Sequence, residues 1–245
     1  MINQIFDSGI STSDRLMEAD KNDCYVLKYC LLYLLRHLKR FPSYSRHTCK
    51  MLVWSLGSNI DQLVKILIGQ FDRNQKSTCI QELEESDHDI EDYSDFLFKM
   101  VSRIKAKHRR KVFQQILALF EYRLQSLSFR GKADLEKNIQ AVKKMFSLTE
   151  QETEFIIFLF INSAYEQPQE FFVGHLECHK ITGHKYLTNI LDINKTQLHS
   201  LLTGKLKKIG ILEIDNYDLR IEEEFLNLFQ YSCDKNFRNY IRKKG

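Results

Sequence analysis

The sequence predicts a mainly α protein, with a helical N-terminal part followed by a helical and winged-helix domain that carries one small β-hairpin. Three observations lead there. Only 9 Gly and 2 Pro punctuate 245 residues, too little turn chemistry for an all-β architecture. Apolar residues recur at three- and four-residue spacing along most of the chain. Near the carboxyl end, two short apolar runs flank Asp215-Asn216-Tyr217-Asp218, a tetrad suited to a tight turn.

An apolar content of 43% can supply a core without disulfides or metal, and the length allows two folding units. The expected division is a helical region over 1–81, an acidic linker over 82–95, a helical domain over 96–181 and the winged-helix-like module with a final helix over 182–245. Six cysteines lie scattered at Cys24, Cys30, Cys49, Cys79, Cys178 and Cys233 without the spacing of a disulfide framework, and no secretory segment precedes them. A cytoplasmic location is therefore expected. Lys28 and Arg36 interrupt the apolar stretch at 25–35, and the run at 155–161 is too short to cross a bilayer, so no membrane partner is expected. The net charge of +4 creates no strong overall field, and charge has to be read locally.

The first twenty residues read as a loose arm. Val26, Leu27, Cys30, Leu31, Leu34, Leu35 and Leu38 then form one helical stripe. A turn is expected over 41–48, and a second apolar helix over 51–68 holds the only tryptophan, Trp54. Between Glu82 and Asp95 stand eight carboxylates and no Lys or Arg, a composition that resists compaction. One long helix is expected over 96–127, with a basic middle from Arg103 to Lys111 whose charges the acidic block would neutralise. The basic run reads as a solvated face, with phosphate contact as the alternative. Gly131 is expected to end that helix, and Leu135, Ile139, Val142, Met145 and Phe146 mark the next.

Thr149 followed by Glu152 has the spacing of a capping box, so a helix should begin there and run through the buried stretch 155–161 to an end marked by Pro168. A short helix at 184–191, a turn at 192–194, a second helix capped by Asn194 and Gln197, and strands at 211–214 and 219–221 follow in winged-helix order. The obvious function of that order is duplex binding through Lys195, Gln197, Lys205, Lys207, Lys208 and Arg220. The charges oppose it. The second helix holds Lys195 as its one cation, Asp215 and Asp218 stand at the hairpin tip, and residues 185–224 carry six basic against seven acidic side chains. A protein-contacting module fits better.

From about Arg110 to Phe229 the chain resembles the region ahead of the ATPase core in a group of bacterial AAA-family ATPases. The stretch Ser147-Leu148-Thr149-Glu150-Gln151-Glu152 opens the matching helix. Leu187-Thr188-Asn189-Ile190-Leu191-Asp192-Ile193-Asn194-Lys195-Thr196-Gln197-Leu198 and the segment from Leu206 to Asp215 carry the rest. The resemblance implies an accessory region acting in assembly, autoregulation or client recruitment, belonging either to a longer ATPase into which the sequence leads, the favoured expectation, or to a stand-alone relative without the motor. It does not bring ATPase activity to this chain. Gly204-Lys205 is followed by Leu206 and has no glycine five positions earlier, so the phosphate cradle and the magnesium-binding hydroxyl are missing.

No catalytic or cofactor-binding residue is assigned. His175, Cys178 and His179, with His184 beyond, could place zinc ligands on one helical face, but they lack the paired spacing of structural zinc sites, and no metal is expected. No nucleophile elbow or activated cysteine is present in the sequence. The expected partner is therefore protein, with nucleic acid as the alternative.

Overall fold

The computed structural model describes residues 21–42, 44–84, 90–127, 131–173, 181–215 and 218–230. They are mainly helical, with one two-stranded antiparallel hairpin. Among the described residues no helix is long and apolar enough to cross a membrane. The described residues form two compact units, 34–127 and 21–33 with 131–230. Their boundaries fall between residues 33 and 34 and beyond residue 127.

Helix α1 (Lys21–Arg40) contributes residues to both units. The first unit continues with α2 (Arg46–Leu56), a 3-10 turn (Gly57–Asn59), α3 (Ile60–Ile68), α4 (Arg73–Glu84), α5 (Ile90–Arg103) and α6 (Ala106–Ser126). Ser45 caps α2 by accepting from the Thr48 backbone N–H. The single helix expected over 51–68 is broken, because Gly57 takes φ +50 and its N–H closes α2 on Val53 O.

The acidic segment differs from the expected linker. Residues 82–84 close α4 and 90–95 open α5, while 85–89 lie outside the described residues. Tyr93, Phe96, Leu97 and Met100 repeat at helical spacing and are all buried, which draws the segment onto α2. Its acids also find partners. Glu91 pairs with Lys50 at 2.6 Å, Asp95 with Arg46 at 3.3 Å and Glu82 with Arg103 at 3.2 Å.

The helix expected over 96–127 is likewise two helices. Ile104 N–H bonds Val101 O, and Lys105 is extended with ψ 138°, so the axis breaks between α5 and α6. The break lets α5 pack on α2 while α6 packs on α3. Gly131, expected as a helix stop, lies beyond the end of α6 in a connection with φ +80.

In the second unit, α7 (Asp134–Met145) precedes α8 (Glu150–Ala164), whose start is closed by the expected capping box. The Glu152 N–H donates to Thr149 Oγ1 at 3.1 Å, and Glu152 Oε2 accepts from the Thr149 N–H at 2.8 Å. Phe155 to Ile161 are buried on every side, as expected of a central helix. Phe158 meets Tyr33 and Phe172 edge-on at 5.1 and 5.5 Å. Pro168 does not end α8. It sits in the first turn of α9 (Glu166–Val173), where its missing N–H costs nothing.

Candidate functional site

The remaining elements of the second unit are α10 (Ile181–Ile190), α11 (Lys195–Thr203), α12 (Lys205–Lys208), β1 (Leu212–Asp215), β2 (Asp218–Ile221) and α13 (Glu223–Gln230). Tyr186, Leu187 and Ile190 bury one side of α10, and Gly183 lies within the helix. The turn after α10 closes through Ile193 N–H to Thr188 O, with Asp192 in the left-handed region at φ +53. Asp tolerates that conformation better than a branched side chain.

A second capping box starts α11. The Gln197 N–H donates to Asn194 Oδ1 at 2.9 Å, and Gln197 Oε1 accepts from the Asn194 N–H at 2.8 Å. Leu198, Leu201 and Leu202 turn inward, while Lys195, Thr196, His199, Ser200 and Thr203 form an exposed face with one cation. The Thr203 hydroxyl donates to His199 O. Gly204 separates α11 from α12, and a Cβ there would stand 2.2 Å from the Ser200 carbonyl oxygen, so no side chain fits. Leu206 is fully buried, and Ile211 N–H returns to Leu206 O to lead into the hairpin.

The strands pair in the register Leu212↔Ile221, Glu213↔Arg220, Ile214↔Leu219 and Asp215↔Asp218, one residue from the expected bounds at either strand. Leu212, Leu219 and Ile221 are buried, and β2 packs against α8. Phe225 and Phe229 of α13 add to that core, with Phe229 edge-on to Phe160 at 5.8 Å. Asn216 and Tyr217, the centre of the expected turn, lie outside the described residues.

The residues predicted to touch phosphate are divided by this arrangement. Gln197 is spent on the cap. Lys205 Nζ donates to Phe146 O and Ser147 O at 3.1 and 3.0 Å, closing the carbonyl end of α7. Arg220 pairs across the hairpin with Glu213 at 3.0 Å. The side chains of Lys195, Lys207 and Lys208 are exposed and make no hydrogen bond or ion pair with other described residues. Sequence reasoning could not separate these groups, because the partner of Lys205 lies 58 and 59 positions away.

Of the weak metal candidates, His175, Cys178 and His179 lie outside the described residues, and His184 is exposed on α10. Among the described residues no group of three or more His, Cys, Asp or Glu side chains converges as a metal site. Cys24, Cys30, Cys49 and Cys79 are buried thiols outside any disulfide. Burial, and then the nearby Asp95 carboxylate, push the Cys49 thiol up to about 12, and burial raises Cys30 further. Neither thiol is poised for nucleophilic work at neutral pH. Burial likewise holds the Tyr186 phenol well above its usual range.

Comparison of the chain with protein-family models, with curated proteins and with solved structures gave no match.

Proposed function

We propose that residues 181–230 form a winged-helix module that binds protein, and that the chain is a non-catalytic accessory region of a bacterial AAA-family ATPase, serving assembly, autoregulation or client recruitment. The observation that carries this reading is the charge economy of the module. Its second helix, α11, exposes hydroxyls, an imidazole and one lysine. Lys205 and Arg220, two of the cations that a duplex reader would direct at phosphate, are instead committed to intramolecular partners. Exposed Ile214 on the hairpin and Met145 at the end of α7 are apolar groups that a protein partner can cover. The resemblance of residues 110–229 to the region ahead of an AAA-family ATPase core supports this choice of partner class.

Lys195, Lys207 and Lys208 support a second reading, duplex binding, because all three are exposed and unpaired among the described residues. Two experiments on the whole chain separate the readings. Affinity capture followed by reconstitution with the purified partner is expected to identify an AAA-family ATPase, and hydrogen exchange is expected to slow over 194–221 in that complex. Failure to recover any such ATPase, with duplex DNA protecting 194–221 instead, reverses the assignment.

A further inference from the structure

Helix α6 begins against its own electrostatics. Its first turn holds no acid, Lys105 precedes it without a side-chain cap, and Lys107, Arg109, Arg110 and Lys111 follow. Cations at a helix N-terminus face the positive end of the backbone dipole. Among the described residues Glu82, Glu91 and Asp95 pair instead with Arg103, Lys50 and Arg46. Among the described residues Lys105, Lys107, Arg110 and Lys111 make no ion pair. A sequence that breaks a local rule without an internal compensation points to a ligand that supplies it.

A cavity of about 570 Å³ opens beside that turn. The volume falls within the range of about 300–1,000 Å³ typical of small-molecule sites. Its walls are mostly apolar, with Tyr44, Phe98, Val112 and Phe113 among them, and Arg109 and Arg110 supply its charge. Tyr44 and Phe113 meet edge-on at 6.1 Å, which gives the wall a fixed shape. Arg109 Nε donates to Ile104 O at 3.2 Å, anchoring the guanidinium at the α5–α6 break while its terminal N–H donors stay uncommitted among the described residues.

We propose that this cavity binds an amphipathic anion, its apolar body held between Tyr44, Phe98, Val112 and Phe113 and its carboxylate or phosphate head on Arg109 and Arg110. The guanidinium fork suits either head group, and the apolar walls reject a ligand that is charged throughout. This site is independent of the winged-helix module, so it stands or falls apart from the function proposed above.

The test is calorimetric titration of the whole chain with laurate, dodecyl phosphate and 2-naphthoate, each below its aggregation concentration, with dodecyltrimethylammonium as the cationic counterpart. At least one anion is expected to bind one-to-one and roughly tenfold or more tighter than the cation, as one charge-assisted bond implies. Laurate against dodecyl phosphate identifies the head group, and 2-naphthoate identifies an aromatic body. Arg110→Gln, at an exposed position, is expected to keep the fold by circular dichroism and to lose about tenfold in anion affinity. Binding by none of the anions, equal binding of the cation, or undiminished binding by Arg110→Gln overturns the proposal.

Discussion

Replacing Gly204 by alanine probes the junction on which the C-terminal module turns. The added Cβ would stand 2.2 Å from Ser200 O and 3.3 Å from its carbonyl carbon, where ordinary contact begins near 3.4 Å. The obstacle is helix backbone, so no rotamer change relieves it. Two responses remain. Unwinding the last turn of α11 gives up backbone hydrogen bonds worth about 0.5–1.5 kcal/mol each. Shifting α12 instead draws fully buried Leu206 from the core, at about 1.5–3 kcal/mol. With two such bonds lost on the first route, either route puts the loss at about 1–3 kcal/mol. Gly210 provides the control. It has φ +74 and no neighbouring atom within 4 Å of an added Cβ, so Gly210→Ala meets only the left-handed penalty of about 1–2 kcal/mol. Urea unfolding followed by circular dichroism, with hydrogen exchange over 195–209, measures both variants. At a site without such a clash, Gly→Ala commonly stabilises by about 0.4–1 kcal/mol. A Gly204→Ala protein as stable as the parent, or more stable, would refute the described junction.

Thr149→Ala is expected to lower stability by about 1 kcal/mol, and the double variant with Glu152→Ala by less than the sum of the two, since both residues serve one capping box; urea midpoints for the four proteins give the coupling. Lys205→Met removes the donor from Phe146 O and Ser147 O, with an expected loss of about 0.5–1.5 kcal/mol in urea unfolding. Because the folded state holds the Cys49 proton up to about 12, its contribution to stability is fully present below the ordinary thiol range and declines as pH rises through it. The decline is up to about 1.4 kcal/mol per pH unit for such a thiol, so urea midpoints between pH 8 and 11 should fall, with a shallower slope for Cys49→Ala. Native protein should also leave Cys30 and Cys49 unlabelled by a thiol reagent until denaturant is added.

What was legible in the sequence was chemistry that acts over three or four residues. Thr149 with Glu152, and Asn194 with Gln197, announce helix starts because each pair satisfies its own backbone donors. The strands of the hairpin announce themselves by two apolar runs around turn formers. The α5–α6 break carried no such mark, because no Gly or Pro stands at 104–105 and the apolar rhythm continues across it. Charge was read least well. Composition made 82–95 a linker, whereas its described part closes α4 and opens α5, where Tyr93 is buried and Glu91 and Asp95 pair with Lys50 and Arg46. The same limit hid the cavity, which brings Tyr44 to Arg109 and Phe113 from far along the chain. Helical spacing shows which face is apolar, and does not show which faces leave a space between them.

The central claim, a module whose cations are too few to hold a duplex, is tested most directly by fluorescence anisotropy of labelled duplex DNA against salt, comparing the parent with Lys207→Gln/Lys208→Gln. The expected result is weak binding, Kd no tighter than about 10⁻⁴–10⁻⁶ M near physiological salt, with a salt slope the double variant leaves unchanged. Binding near 10⁻⁸ M, with a slope that falls by about 2 in the double variant, would contradict the account.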